Sequence, residues 1–400
     1  MKRILTTILT TALSLAAAAQ SDLDARAQKV ADRAIEYLQS QQHESGGWSH
    51  REEGPNFPAI TGLVVTGMLL DPDIDATDTH VAEGLSYILS FRQDDGGIYD
   101  RILASYNTSI CLSAIALARG EMPEAEVGVE PAVAFLRELQ WGSSASLPAA
   151  MQDEAKPVAR EHPFFGGVGY GKHGRPDNSN LTFWLQGLED AGVPGDDPAV
   201  QRALVFLERT QMNASTNTMP YAEGSRQGGF IYATSPSAEE HELGIGESKA
   251  GMIEESFSDG TTASRLRAYG SMTYAGFKSY AFANLEQSDP RVIAVRAWIA
   301  QNYSLDENPG IGTEGYYYFI LVFGRAMNAW GEQYVSVLKE DMMFRRDWAQ
   351  DLVTKLEELQ QDDGSFEIVD ERWMEADPVL VTAYSLIALQ NARQELRSRH

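Results

Sequence analysis

Gln93-Asp94-Asp95-Gly96-Gly97-Ile98-Tyr99 ends an amphipathic segment, Leu85 to Gln93, and leads into an apolar one, Asn107 to Ala118. The same order returns near the C-terminus, where Leu352 to Gln361 passes through Asp362-Asp363-Gly364-Ser365-Phe366 to Val379 through Ala392. It is also present near the start, where Ala34 to Gln42 passes through Gly46-Gly47-Trp48 to Thr61 through Leu70. A unit that recurs along a chain is one supersecondary element, able to bury its apolar side only by stacking on its neighbours. The glycines permit a tight turn at the end of the first helix, and the aromatic that follows can pack back between units.

Three less regular copies complete the pattern: Ala132 to Gln140 before Asn178 to Ala191, Ala203 to Gln211 before Ser271 to Leu285, and Val295 to Asn302 before Tyr316 to Trp330. Six pairs predict about twelve helices. The first of each pair carries charge on one side, as in Leu352, Leu356 and Leu359 against Lys355, Glu357 and Glu358, and can face solvent there. The second is apolar nearly all round, as in Thr61 to Leu70, and must be enclosed by protein. An outer ring of amphipathic helices around an inner ring of apolar ones meets both needs, so the expected fold is all-α, an α/α-toroid of about six helix pairs. The competing arrangement is an open solenoid of helix pairs.

The 43% hydrophobic content is spread over all 400 residues without a linker, which points to one large domain, residues 20–400, with long insertions near 142–171 and 213–270. Residues 1–19 have the order of a secretory signal peptide: Lys2-Arg3, an apolar run from Ile4, then Ala17-Ala18-Ala19. No later segment approaches the roughly 20 apolar residues of a bilayer span. The mature chain is therefore expected to be secreted or periplasmic, with no integral membrane segment. Cys111 is the only cysteine, so no internal disulfide can form. A formal net charge of −25 opposes attraction to nucleic acid. The chain is expected to be a monomer.

The Gln-x-x-Gly-Gly-(Trp/Tyr) and Gln-Asp-Asp-Gly-Ser-Phe connections resemble the repeat signature of the terpenoid cyclase and protein prenyltransferase β-subunit superfamily, and the resemblance covers nearly the whole mature chain. It implies the toroid. Gly171-Lys172-His173-Gly174-Arg175-Pro176-Asp177-Asn178-Ser179-Asn180-Leu181-Thr182-Phe183-Trp184 is similar to the zinc-site segment of prenyltransferase β subunits, a basic stretch before Asp-x-Cys-x-x-Phe-Trp. Asn178, Asn180 and Val381 then fall where that family has its zinc Asp, Cys and His, and two amides and a valine cannot hold the ion. No metal or other cofactor is expected. Lys172 and Arg175 fall where the family grips a prenyl diphosphate. The nearest approach to the cyclases' Asp-x-Asp-Asp acid is Asp71-Pro72-Asp73-Ile74-Asp75, which lacks the adjacent pair and reads as a solvated turn.

Asp177, Asn178, Ser179 and Asn180 exceed what capping one helix needs. With parallel inner helices, this cluster opens on the same face as Tyr170, His173, Tyr269, Glu314 and Asp377. Aromatics of the inner helices, among them Trp184, Tyr274 and Tyr317, are candidates to line a central cavity. Two functions are compatible with these residues. In one, the cavity binds an extended apolar, peptide or glycan ligand through Lys172, His173, Arg175, Asn178, Asn180, Trp184, Tyr269, Tyr274 and Tyr317. In the other, the chain is an enzyme of the same superfamily with altered chemistry, isoprenoid cyclisation or transfer or polysaccharide cleavage, with Asp177 or Asp377 as acid or base. A serine-hydrolase elbow, a His pair four residues apart and a cysteine cluster are all missing from the sequence.

Overall fold

The computed structural model describes residues 22–49, 53–142, 156–172, 174–257 and 260–399. The signal-peptide segment 1–19 and His173 lie outside the described residues. The outer helices are α1 (22–40), α3 (Thr79–Leu89), α5 (Pro123–Glu138), α7 (Pro198–Thr210), α9 (Pro290–Asn302) and α11 (Trp348–Leu359). The inner helices are α2 (Pro58–Leu69), α4 (Ala104–Leu117), α6 (Asn178–Asp190), α8 (Gly270–Phe282), α10 (Tyr316–Trp330) and α12 (Pro378–Ser398). Aspartate caps recur at the outer starts: Asp78, Asp197, Asp289 and Asp347 each accept from backbone amides of the first turn. A proline at the first helical position follows Asp197 and Asp289, where its missing N–H costs nothing.

The inner helices form a closed cycle, each packed on the next, with α12 returning to α2. This closure excludes the open solenoid. Glycines let the inner backbones approach: a Cβ on Gly324 would press into the backbone of Ala388, and one on Gly187 into the carbonyl of Ser109.

The repeated turns account for how one pair locks to the next. Gly46, Gly96, Gly166, Gly228 and Gly364 all have φ between 84° and 92°, a left-handed conformation that favours glycine. A Cβ on each would collide with a carbonyl of the next outer helix, at Glu83, Pro131, Arg202, Ala294 and Arg33 respectively. At four of these turns a glutamine amide spans the junction. The Nε2 of Gln42, Gln140, Gln211 and Gln360 donates to the carbonyl of its own turn glycine and to a carbonyl of the next outer helix (His80, Ala199, Arg291 and Val30), at 2.8–3.2 Å. In each case that second carbonyl lies one turn before the one against which the glycine rests. The residue after the glycine pair or its Gly-Ser equivalent, Trp48, Ile98, Val168, Phe230 or Phe366, is buried.

Two of these turns, Gly166-Gly167 and Gly228-Gly229, sit inside the long connections, because the extra residues are inserted between the glutamine and the glycines. The insertions also hold short strands: β1 (Trp141–Gly142) pairs in parallel with β2 (Lys156–Pro157), and β3 (Met252–Ser256) with β4 (Thr262–Leu266) as a hairpin. A second hairpin, β5 (Tyr334–Lys339) with β6 (Met342–Asp347), joins α10 to α11.

One expectation is overturned. Asp71 is not in a solvated turn: it is 3% exposed and accepts from Arg393 Nη1 at 2.5 Å and Gln390 Nε2 at 3.0 Å. These bonds hold its carboxyl below the usual value against the opposing effect of burial. Asp71 thereby ties the end of the first inner helix to the last, while Arg26 on α1 pairs with Glu357 on α11. No helix among the described residues is long and apolar enough to cross a membrane.

Gly364→Ala tests the junction. Gly120, with φ 88° and open space around it, isolates the backbone cost, about 1 kcal/mol for alanine in a left-handed conformation. Gly364→Ala should lower the thermal midpoint at least twice as much as Gly120→Ala, followed by circular dichroism. Equal losses would show that the contact with Arg33 holds nothing.

Candidate functional site

All six inner helices begin around one cavity of about 290 Å³. Ile60 of α2, Tyr106 of α4, Ser179 and Phe183 of α6, Ser271 and Met272 of α8, Tyr318 of α10 and Leu380 and Tyr384 of α12 line it. The connections before these helices add Phe57, Leu103, Tyr170, Tyr232, Lys249, Tyr269, Trp373, Met374 and Glu375. Six tyrosines thus share the wall with apolar side chains, and Lys249 and Glu375 bring opposite charges. Leu103, Trp373 and Met374 are non-glycine residues with φ of 52°, 56° and 70°, so three strained positions lie on this one rim. Trp373 and Met374 are also among the chain's exposed large apolar side chains.

Asp177 caps α6 from behind the wall. Its carboxylate accepts from Asn180 N at 3.0 Å and from Asn180 Nδ2 at 2.8 and 3.0 Å, and it is 1% exposed. Burial pushes its carboxyl up to about 6, against the pull of the Asn180 bonds and the nearby Arg175 charge. Glu375 reaches across to a different helix: its two carboxylate oxygens accept from Tyr317 N at 3.0 Å and Tyr318 N at 2.8 Å. It thus caps α10, whose own N-cap, Gly315, has no side chain to do so. Burial raises Glu375 to about 7, although the amide bonds oppose the change. Burial, aided by the charge of Asp177, raises the Tyr170 phenol to about 12.

Of the residues singled out in the sequence, Tyr170, Ser179 and Tyr269 line the cavity and Asp177 stands behind it. Lys172 pairs with Asp95 at 2.5 Å and lies over the rings of Tyr99 and Phe135, away from the cavity wall. Arg175 bonds Glu247 and the Ser235 carbonyl, each at 2.5 Å, and packs over Tyr232. Asn178 donates to the Ile231 carbonyl and accepts from Thr210, joining α6 to the connection after Gly229. Trp184 donates to the Leu136 carbonyl, Tyr274 packs against Phe319 and Phe323, and Tyr317 bonds the Glu367 carbonyl; all three are fully buried. Asp377 caps α12 through Val379 N and Leu380 N and does not line the cavity. Glu314 pairs with Arg372 on the surface.

Sequence reasoning missed Tyr106, Tyr232, Lys249, Trp373 and Glu375. Tyr106 carried a usable signal, since it opens the second inner helix at the level where Tyr269 and Ser271 open the fourth. Glu375 carried none, because its partners lie 57 and 58 residues upstream.

No protein-family model and no curated protein matches the chain. Solved structures do. An unsaturated glucuronyl hydrolase specific for heparin aligns over 94% of this chain and 98% of its own, with TM-score 0.54 and 11% identity. An inactive variant of an α-1,6-mannanase from Salegentibacter, in complex with α-1,6-mannotriose, aligns over 92% and 99%, with TM-score 0.53 and 12% identity. A variant of the type II terpene cyclase MstE from Scytonema, in complex with geranylgeranyl dihydroxybenzoate, aligns over 94% and 99%, with TM-score 0.50 and 12% identity. At such identities the likeness is one of fold alone, and the chain is an α/α-toroid.

Proposed function

We propose that this chain is a secreted or periplasmic toroid that binds an apolar ligand with a polar head in its central cavity. The observation that carries this reading is the wall itself. Phe57, Ile60, Phe183, Met272 and Leu380 offer apolar surface, while the tyrosine hydroxyls, Lys249 and Glu375 supply a few polar points. A concave, mostly apolar pocket with a few placed polar groups is the usual form of a small-molecule site. The strained rim at Leu103, Trp373 and Met374 supports it, as strain of this kind concentrates at ligand-binding positions. The cyclase of similar fold is in complex with a geranylgeranyl dihydroxybenzoate, an apolar chain with a polar head. Export is supported by the first nineteen residues, which follow the signal-peptide order.

Titration of the mature protein with farnesol, followed by tryptophan fluorescence, to which Trp373 at the rim contributes, should saturate. Phe183→Ala should weaken binding by about tenfold, equivalent to about 1.4 kcal/mol. Silence toward farnesol together with saturable binding of α-1,6-mannotriose would replace the apolar ligand with a glycan.

A second reading rests on Glu375, the one carboxyl among the described cavity-lining residues. A carboxylic acid held near 7 is partly protonated at neutral pH and can deliver a proton to an alkene or a glycosidic oxygen. Any turnover of an isoprenoid or glycan should then fall as pH rises through about 7 and vanish in Glu375→Gln.

The same group sets a pH dependence of stability that does not require turnover. Its folded value, about 7, lies above the ordinary 4.5, so the fold holds this proton more tightly than the unfolded chain does. The stabilisation is complete below about 4.5 and is lost as pH rises through about 7. Asp177, raised from 3.8 to about 6, acts in the same direction over a lower window. Denaturant unfolding should therefore show stability declining from about pH 4.5 to about pH 7, with a shallower decline in Glu375→Gln. An unchanged slope in that variant would remove Glu375 from the account.

A further inference from the structure

The opposite end of the ring is built differently. There the C-terminal parts of the same six helices surround a second cavity of about 290 Å³, lined by Thr66 of α2, Leu117 of α4, Asp190 of α6, Lys278 of α8, Arg325 of α10 and Asn391 of α12. No aromatic side chain is among its described lining residues. Arg325 is 7% exposed, and its Nη1 has no hydrogen-bond partner. Thr66, 2% exposed, has an unpartnered Oγ1 in the same cavity. A buried guanidinium N–H and a buried hydroxyl left unbonded each cost free energy, and both side chains belong to residues that line a space a ligand could fill.

The charges select what fits. Lys278 is already paired with Glu189. Arg325 faces Asp190 without a hydrogen bond to it, while Asp190 accepts from Gln186 Nε2 at 2.9 Å and burial raises its carboxyl. The pocket therefore has at most about one unbalanced positive charge, and the negative ends of six helix dipoles converge on it. A dianion is poorly matched to such a site. A single carboxylate matches the planar fork of an arginine, and its substituents can meet the Thr66 hydroxyl and the Asn391 amide. We infer that this mouth is a second ligand site, in which Arg325 and Thr66 hold a small hydroxylated or amino-substituted monocarboxylate. The site is independent of the ligand assigned to the tyrosine-walled cavity.

The test is thermal unfolding and calorimetric titration of the full mature chain with lactate, glycine and acetate, with phosphate and chloride at matched ionic strength. Lactate or glycine should raise the thermal midpoint saturably and above acetate, and chloride should not. Thr66→Val, which keeps the side-chain shape, should weaken the response several-fold, and Arg325→Met should weaken it by at least about tenfold. Should Arg325→Met fail to fold, the ranking of anions by the wild type and the response of Thr66→Val decide. No saturable response beyond chloride, a preference for phosphate, or a response unchanged in Thr66→Val would overturn the assignment.

Discussion

The contact between a turn glycine and the backbone of the next outer helix is the constraint on which the ring depends. A left-handed turn with no Cβ lets the chain rest directly on a neighbouring carbonyl, and the glutamine before it bonds the carbonyl one turn earlier. Five of the six junctions use the glycine and four use the glutamine. Each sets the angle between one helix pair and the next. Since Gly364 meets Arg33 as Gly46 meets Glu83, the angles sum to a full turn and the last pair lands on the first.

A ring of parallel inner helices has two unlike ends. The mouth at the helix N-termini is walled by tyrosines and apolar side chains, with carboxylates placed as caps where free amides attract them. The mouth at the C-termini gathers Lys278 and Arg325, cations suited to the negative ends of the helices, together with amide side chains. The insertions enlarge only the first of these mouths: Tyr170, Tyr232 and Lys249 all come from the long connections that precede inner helices. The ring is a common frame, and the chemistry of its N-terminal mouth is set by loops that hang from it.

The pairing of helices was legible in the sequence because apolar periodicity and the Gln-to-Gly-Gly spacing are local. Where residues intervene between glutamine and glycines, as from Gln140 to Gly166, the spacing signal is broken although the contact is kept. The acid at Asp71 was misjudged for a related reason: its partners, Gln390 and Arg393, lie at the other end of the chain, and only closure brings them near. In the cavity, Tyr269 and the Asp177 cluster could be placed from their positions at helix starts. Lys172 and Arg175 could be located but not their partners, since Asp95 and Glu247 come from connections on either side of α6. Glu375 became visible only once α10 and α12 stood side by side.

Closure also shapes how the chain reaches its native state. In an open array of repeats each unit gains by joining any neighbour, and a partial array can persist with one exposed end. Here the first outer helix meets its partners in α11 only after almost the entire chain is available, since Arg26 and Glu357 are 331 residues apart. Until then two apolar inner faces, on α2 and on the growing end, stay uncovered. The entropy of joining the ends rises only slowly with loop length, so the final step is not prohibitively costly. Its consequence is cooperativity: an incomplete ring is a sticky intermediate rather than a smaller stable protein.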